Sequence, residues 1–105
     1  MSEQTKQRIE EMIQNNRIFL FMKGSKLMPM CGFSGATVQC LEEVGATYET
    51  FNVLEDMEVR EGIKEYSNWP TIPQLYVDQQ FIGGCDIIRE MFATGDLAEL
   101  VKPKS

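Results

Sequence analysis

Five consecutive apolar residues, Ile18 to Met22, constrain the fold of this chain more than any other feature. The run does not alternate with polar residues, and a strand of that kind is covered on both faces of its sheet. It is too short to cross a membrane, because a membrane-spanning helix takes about 20 apolar residues. The sequence therefore predicts a buried central strand with helices packed on both sides.

The segments around this strand predict the element order α-β-α-β-α-β-β-α-α. The predicted helices span residues 3–14, 33–44 and 57–66, a segment opened by residues 83–86, and a short last segment capped by Asp96; the predicted strands span residues 18–22, 48–53, 74–77 and 81–82. The first two strands flank a helix and are expected to be parallel, whereas the last two form a hairpin with its turn at 78–80. We expect an α/β protein with a four-stranded mixed sheet flanked by helices on both faces. Residues 1–105 form a single domain, frayed over 102–105.

The periodicity of the helices also predicts which residues are buried. Cys40 falls on the inward face of the second helix and is expected to be a small core residue. The third helix is expected to bury Val59, Ile63 and Tyr66, and Gly62 within it indicates that another element comes close. Two positions remain open for Phe33: its side chain either packs in the core or lies outside it and shields the thiol of Cys31.

Composition excludes several classes of function. The formal net charge is −6 and the pI is about 4.6, which argues against nucleic-acid binding and against attraction to anionic membranes. Three cysteines and no histidine argue against a disulfide scaffold, a histidine-based zinc site and Cys-His catalysis. Residues 1–16 lack the apolar core of a signal peptide. We predict a cytoplasmic protein, or one of an organelle stroma or matrix if a presequence was removed.

One stretch carries the chemistry: Lys23 to Ser34, a loop that joins the apolar strand to a helix. Cys31 lies where that helix begins, and Lys23 is nearby. The partial positive charge of a helix N-terminus favours a thiolate, and thiol pKa values of about 3.5–7.5 occur in such places. A redox dithiol motif would need a second cysteine at position 34, which is Ser34. Cys31 therefore lacks a resolving partner nearby in the chain, and it is predicted to be a nucleophile or a soft metal ligand.

Several separated motifs resemble the monothiol, CGFS-type glutaredoxins in their short, single-domain form. These motifs are Lys23-Gly24, Pro29, Cys31-Gly32-Phe33-Ser34, Trp69-Pro70-Thr71-Ile72-Pro73 and Gly83-Gly84-Cys85-Asp86. Their order and spacing agree over nearly the whole chain. The resemblance implies a thioredoxin-like fold.

The same resemblance implies a glutathione groove beside Cys31. Lys23 and Arg60 would hold the glycine carboxylate of glutathione, as two cations suit a carboxylate. The backbone of Ile72, before a cis proline at 73, would pair with the cysteinyl part as a strand does. The γ-glutamyl end would be held by Gly83-Gly84, the backbone of Cys85 and the carboxylate of Asp86.

The family further implies an iron–sulfur cluster. A [2Fe–2S] cluster needs four ligands, usually thiolates. Two chains would supply one Cys31 each and two glutathiones the rest, in a cluster-bound homodimer. The partners implied by the resemblance are apo iron–sulfur proteins and BolA-like proteins.

Two other functions remain open. In the first, Cys31 is the catalytic nucleophile of a glutathione-dependent thiol–disulfide oxidoreductase that removes glutathione from proteins. There Cys85 is either a distant resolving thiol or only a backbone contributor to the groove. In the second, the chain is a passive interaction module, which the combination of Cys31, Lys23 and Arg60 disfavours. Whether the protein is an enzyme is left open by the sequence.

Overall fold

The computed structural model describes residues 1–103, and its elements follow the predicted order. The elements are the helices α1 (Glu3–Gln14), α2 (Gly32–Glu43), α3 (Met57–Ser67), α4 (Cys85–Thr94) and α5 (Asp96–Val101), and the strands β1 (Ile18–Met22), β2 (Glu49–Asn52), β3 (Gln74–Val77) and β4 (Gln80–Gly83). A 3-10 turn at Val53–Glu55 joins β2 to α3, so the predicted strand 48–53 is shorter at its end than expected. Of the tail predicted to fray, residues 104 and 105 lie outside the described part.

The strand β1 lies inside a mixed sheet with the order β2-β1-β3-β4. It runs parallel to β2, with Leu20 opposite Thr50, and antiparallel to β3, with Leu20 opposite Leu75. The hairpin between β3 and β4 is antiparallel and turns at Asp78 and Gln79, one residue shorter than expected. The prediction of a four-stranded mixed sheet is confirmed.

Both faces of the sheet are covered, as the apolar run predicted. All five residues of β1 are buried, and successive side chains of a strand point to opposite faces. Leu20 and Met22 pack into a cluster with residues of α2, α4 and α5, whereas Phe19 and Phe21 pack into a cluster with residues of α1 and α3. Each large apolar side chain buried in this way stabilises the fold by about 1.5–3 kcal/mol.

Most of the predicted core positions are confirmed, and one is wrong. Cys40 is buried, as are Val59 and Ile63. A Cβ atom at Gly62 would lie 3.0 Å from Thr5 Cγ2, which confirms that α1 approaches α3 closely there. Tyr66 is 37% exposed, because α3 ends one residue later and the Tyr66 ring lies only at the edge of the aromatic cluster of that face, with its centroid 6.4 Å from that of Tyr76.

Candidate functional site

Cys31 is the N-cap residue of α2, so its side chain lies at the positive end of a helix. The N–H of Ser34 donates to Cys31 Sγ over 3.4 Å, and Cys31 Sγ lies 3.6 Å from Ser34 Oγ. Cys31 is partly exposed, whereas Cys40 and Cys85 are buried. Among the described residues, it is the thiol that solvent and other molecules reach.

Ser34, at the position of the absent second cysteine, is fully buried. Its Oγ accepts a hydrogen bond from the backbone N–H of Lys23 over 3.1 Å. That contact leaves the single hydroxyl hydrogen of Ser34 free to donate to Cys31 once the thiol has lost its proton. Ser34 therefore connects the end of β1 to the sulfur atom.

These contacts act on the acidity of Cys31. Partial burial raises the pKa of the thiol, but the N–H and hydroxyl of Ser34, the N–H of Phe33 and the charge of Lys23 outweigh burial, so that the net pKa is lowered. Burial raises the pKa of Cys40, with a smaller contribution from Cys85. The thiolate expected at the start of α2 is therefore supported at Cys31 and disfavoured at Cys40.

The loop before Cys31 is anchored on β2. The N–H of Gly24 donates to Asn52 Oδ1 over 2.9 Å, and a Cβ atom on Gly24, whose φ is +92°, would lie 2.4 Å from the carbonyl oxygen of Met28. The Lys26 ammonium donates to the carbonyl of Tyr48 and lies 4.0 Å from the centroid of the Tyr48 ring. The loop conformation is thus fixed by contacts at its base and near its tip.

Four exposed apolar side chains flank Cys31 along the chain, and together we name them the apolar rim: Leu27, Met28, Met30 and Phe33. Leu27 is 98% exposed at the loop tip, and Phe33 is 65% exposed in the first turn of α2. Of the two alternatives for Phe33, the structure supports a position outside the core. Apolar side chains clustered on a surface are typical of a contact area for another molecule.

A groove of about 180 Å³ lies beside the start of α2. Its lining residues are Phe33, Trp69, Thr71, Ile72, Pro73, Gly84, Cys85, Asp86 and Ile87. It therefore brings together four of the predicted glutathione residues: Ile72, Gly84, Cys85 and Asp86. Trp69, Thr71 and Ile87 were not predicted as site residues, although Trp69 and Thr71 belong to a motif noted in the sequence.

One wall of the groove is the loop before β3. The peptide bond between Ile72 and Pro73 is cis, as the resemblance implied. The side chain of Ile72 is buried in the core, but the backbone N–H and C=O of Ile72 make no hydrogen bond to any residue in 1–103. These two groups are the kind that an extended peptide ligand pairs with.

The opposite wall is the start of α4. Gly84 is the N-cap residue and no side chain caps the helix, so the first N–H groups are available to an anion. Asp86 is exposed in this first turn. A Cβ atom on Gly84 would lie 3.2 Å from the carbonyl oxygen of Pro73 and 3.3 Å from Trp69 Nε1, so glycine permits the close approach of the two walls.

Lys23 and Arg60 do not line this groove. Lys23 is near enough to lower the pKa of Cys31. Arg60 lies on α3, where its Nε atom is buried without a hydrogen-bond partner in the described part of the chain, and its Nη1 atom is 3.9 Å from Met57 Sδ. The guanidinium group carries five N–H donors, and such a group can pair with a carboxylate through two parallel hydrogen bonds.

Two other features of residues 1–103 bear on function. No helix in this part of the chain has the length and the apolar composition that crossing a membrane requires. No group of three or more histidine, cysteine, aspartate or glutamate residues is placed to hold a metal ion within the described chain.

Comparison with known proteins agrees with the geometry. The glutaredoxin family model matches residues 18–82, which include the first three strands, most of β4, Cys31 and the groove wall before β3. The chain belongs to the glutaredoxin family. This glutaredoxin is 52% identical to an uncharacterized monothiol glutaredoxin of Synechocystis over 97% of its own length and 95% of that protein. It is 51% identical to the mitochondrial monothiol glutaredoxin-5 of Lachancea kluyveri, over 97% of this chain and 73% of that protein.

Solved structures give the same result. Reduced apo GrxS14 from poplar superimposes with a TM-score of 0.80 at 46% identity, over 92% of this chain and 89% of that one. A buckwheat glutaredoxin–glutathione complex shares the fold, with a TM-score of 0.82 at 21% identity over 96% and 93% of the two chains. The thioredoxin-like fold and the monothiol glutaredoxin family are thus confirmed. Since its relatives include cyanobacterial and mitochondrial proteins, the cytoplasmic location stays a prediction.

Proposed function

We propose that this glutaredoxin binds glutathione beside Cys31, and that two chains hold a [2Fe–2S] cluster between them and deliver it to acceptor proteins. The observation that carries the proposal is a lone accessible thiol of lowered pKa at the start of α2, next to a groove. Ser34 stands where a resolving cysteine would be. A thiolate that cannot form a disulfide with the next turn of its own helix remains available as a ligand.

The residues that the resemblance assigns to glutathione suit its three parts. Lys23 and Arg60 offer positive charge to the glycine carboxylate. The unpaired backbone groups of Ile72 suit the cysteinyl peptide. The uncapped start of α4 suits the γ-glutamyl carboxylate, and Asp86 suits its ammonium.

Ligand number supports a cluster shared by two chains. Cys40 and Cys85 are buried, so one chain offers a single accessible thiolate. A [2Fe–2S] cluster takes four ligands, which two Cys31 thiolates and two glutathione thiolates would provide. The apolar rim would be covered when two chains meet. Glutathione held by non-covalent contacts suits a cluster that is passed on, and the acceptors implied by the resemblance are apo iron–sulfur proteins and BolA-like proteins.

A second candidate function rests on the lowered pKa of Cys31. If this glutaredoxin is a thiol–disulfide oxidoreductase, its Cys31 thiolate attacks the glutathione sulfur of a protein–glutathione disulfide, and the substrate protein leaves as a thiolate. A glutathione thiolate then attacks the Cys31–glutathione disulfide, which releases oxidised glutathione. Cys85 as the resolving thiol is a weaker variant, because its side chain is buried and all three cysteines are free.

Anaerobic reconstitution with iron, sulfide and glutathione separates the two functions. We expect cluster absorption bands on a dimer, lost in the Cys31→Ser variant and without glutathione, but kept in a Cys40→Ala control. A colourless monomer in every sample would refute the cluster proposal. Rapid turnover of a small glutathione mixed disulfide by that monomer would instead establish the oxidoreductase.

A further inference from the structure

Gln74, the first residue of β3, is a polar side chain that is fully buried. Its Nε2 atom donates to two backbone carbonyls, those of Trp69 and Thr71, over 3.1 Å each. Its Oε1 atom lies 3.4 Å from the hydroxyl of Tyr76, which donates to it. Both hydrogens of the amide are therefore used to hold backbone outside the sheet.

The two carbonyls held by Gln74 belong to the loop that forms one wall of the groove. Trp69, Thr71 and Ile72 of this loop all line the groove. The side chain of Ile72 is anchored in the core, in the cluster that also contains Tyr76. The carbonyl of the neighbouring Thr71 is bound to Gln74, whereas the backbone N–H and C=O of Ile72 make no hydrogen bond within residues 1–103.

We infer that Gln74 is a positioning residue for glutathione, which holds the loop so that the backbone of Ile72 is ready to pair with the ligand. The inference rests on the proposed glutathione binding. A loop ordered before binding saves the entropy that ligand binding would otherwise spend on ordering it. A fully buried amide also does this better than a water-exposed one, because a hydrogen bond is stronger in the low dielectric of the protein interior than in water.

Two substitutions remove the donors in different ways. Gln74→Met keeps most of the volume without any polar group, and Gln74→Glu keeps the shape but replaces the donating NH₂ with oxygen. Gln80→Glu is the matched control, because it makes the same chemical change at an exposed position of the same hairpin. Trp69 is the only tryptophan of the chain, so its fluorescence reports on the loop itself.

Three quantities are measured for each protein: the free energy of unfolding in urea, the affinity for reduced glutathione by NMR titration, and the quenching of Trp69 by acrylamide. We expect folded Gln74→Met and Gln74→Glu to bind glutathione about tenfold more weakly and to expose Trp69 more to the quencher. Wild type and Gln80→Glu should agree in both. A purely structural role would lower the free energy of unfolding and leave the affinity and quenching of the folded protein unchanged, which would overturn the inference.

A measurement on the wild type covers the case in which neither variant folds. The side-chain NH₂ hydrogens of Gln74 should exchange slowly with solvent, with and without glutathione, and rapid exchange would refute their role. Absence of glutathione binding by both wild type and Gln80→Glu would refute the proposed function instead. The two failures are thereby distinguished.

Discussion

At the scale of single residues, the thiolate at Cys31 depends on a serine that has no reactive role of its own. Ser34 Oγ accepts the N–H of Lys23 and lies beside Cys31 Sγ, while its own N–H donates to the sulfur. In the sequence, Ser34 marks only the absence of a second cysteine. In the structure, it is a buried link between the end of β1 and the site.

Replacing Ser34 with alanine should therefore raise the pKa of Cys31. The variant keeps the backbone N–H of residue 34, which donates to Cys31 Sγ, but it loses the hydroxyl. The partly buried N–H of Lys23 then has no acceptor, which should lower the free energy of unfolding by about 1–3 kcal/mol. Titration of the thiolate by ultraviolet absorbance measures the pKa, with Cys31→Ser to identify the signal. Ser67→Ala, on α3, is the control and should leave the pKa of Cys31 unchanged.

The lowered pKa of Cys31 also fixes the direction of a pH effect. Because the pKa is lower in the folded protein, this thiol contributes stability above its unfolded pKa and loses it as the pH falls through the folded pKa. The free energy of unfolding of Ser34→Ala should thus rise less with pH, over the range in which thiols titrate, than that of wild type. An equal rise in both proteins would contradict the role given to the hydroxyl.

At the scale of elements, polar contacts at helix ends hold the helices in place. Asp56 Oδ1 accepts the N–H groups of Glu58 and Val59 at the start of α3, and Asp56 Oδ2 accepts from Arg8 of α1. Arg17, just before β1, donates to the carbonyls of the last residues of α5. The contacts made by Arg8 and Arg17 join segments that are far apart in the chain.

Protonation of Asp56 should make the protein less stable in acid. The pKa of Asp56 lies below its ordinary value of 3.8, mainly because its carboxylate accepts a hydrogen bond from the N–H of Val59. The Arg8 guanidinium lowers this pKa further. The contribution of Asp56 is therefore complete above the ordinary value and lost as the pH falls through the folded pKa. Asp56→Asn keeps the capping oxygen without the charge, so its stability should depend less on pH between 5 and 2, roughly the range in which carboxylates titrate.

Thermal unfolding of wild type and Asp56→Asn across that range is the measurement. The two curves should approach each other at the acid end. A constant difference at every pH would show that the Asp56 charge does not contribute. Asp96→Asn provides a matched control, at the start of a different helix where the aspartate is exposed.

The contacts of Arg17 should be needed to dock α5. Its Nη1 and Nη2 atoms donate to the carbonyls of Val101 and Leu100 over 3.3 and 3.0 Å. Hydrogen bonds to charged groups contribute about 1.5–3 kcal/mol each, and partial exposure reduces this, so we expect Arg17→Met to lower the free energy of unfolding by about 1–2 kcal/mol. Urea unfolding tests this against Arg89→Met, an exposed arginine, which should change it by less than about 0.5 kcal/mol.

At the scale of the whole molecule, the surface around Cys31 differs from the rest. The chain carries a net charge of −6, yet its apolar rim carries exposed leucine, methionine and phenylalanine side chains on either side of Cys31 in the chain. The loop bearing Leu27 is held by the contacts of Gly24 with Asn52 and of Lys26 with Tyr48, and the Leu27 side chain stays outside the core. Such a surface is suited to cover a shared cluster from water when two chains meet.

Leu27→Ser should separate stability from assembly. Leu27 is 98% exposed, so the free energy of unfolding should change by less than about 0.5 kcal/mol. If the apolar rim is buried between chains, the reconstituted dimer should dissociate at a higher protein concentration than the wild-type dimer does. Sedimentation of the reconstituted protein measures this.

Ala93→Ser, on an exposed part of α4, serves as the control and should leave the dimer unchanged. An unchanged dimer in the Leu27→Ser variant would show that this part of the rim lies outside the contact. A loss of stability would show that Leu27 packs in solution.

The sequence by itself determined the elements and the position of the thiol. Five apolar residues without alternation can only be buried as a central strand here, and a short loop after that strand brings Cys31 to the start of α2. Local spacing suffices for such features, because a strand end and a helix cap involve residues close in the chain. The resemblance added Ile72, Cys85 and Asp86, which the structure brings to one groove.

Only the tertiary structure decided how the groove is built. Gln74 looks like one more strand residue in the sequence, and its role depends on a loop that folds back over its amide. The packing of α3 leaves the Nε–H of Arg60 without a partner among residues 1–103, and it leaves Tyr66 at the surface. Long-range packing sets these outcomes, and spacing along the chain carries no information about which distant groups meet.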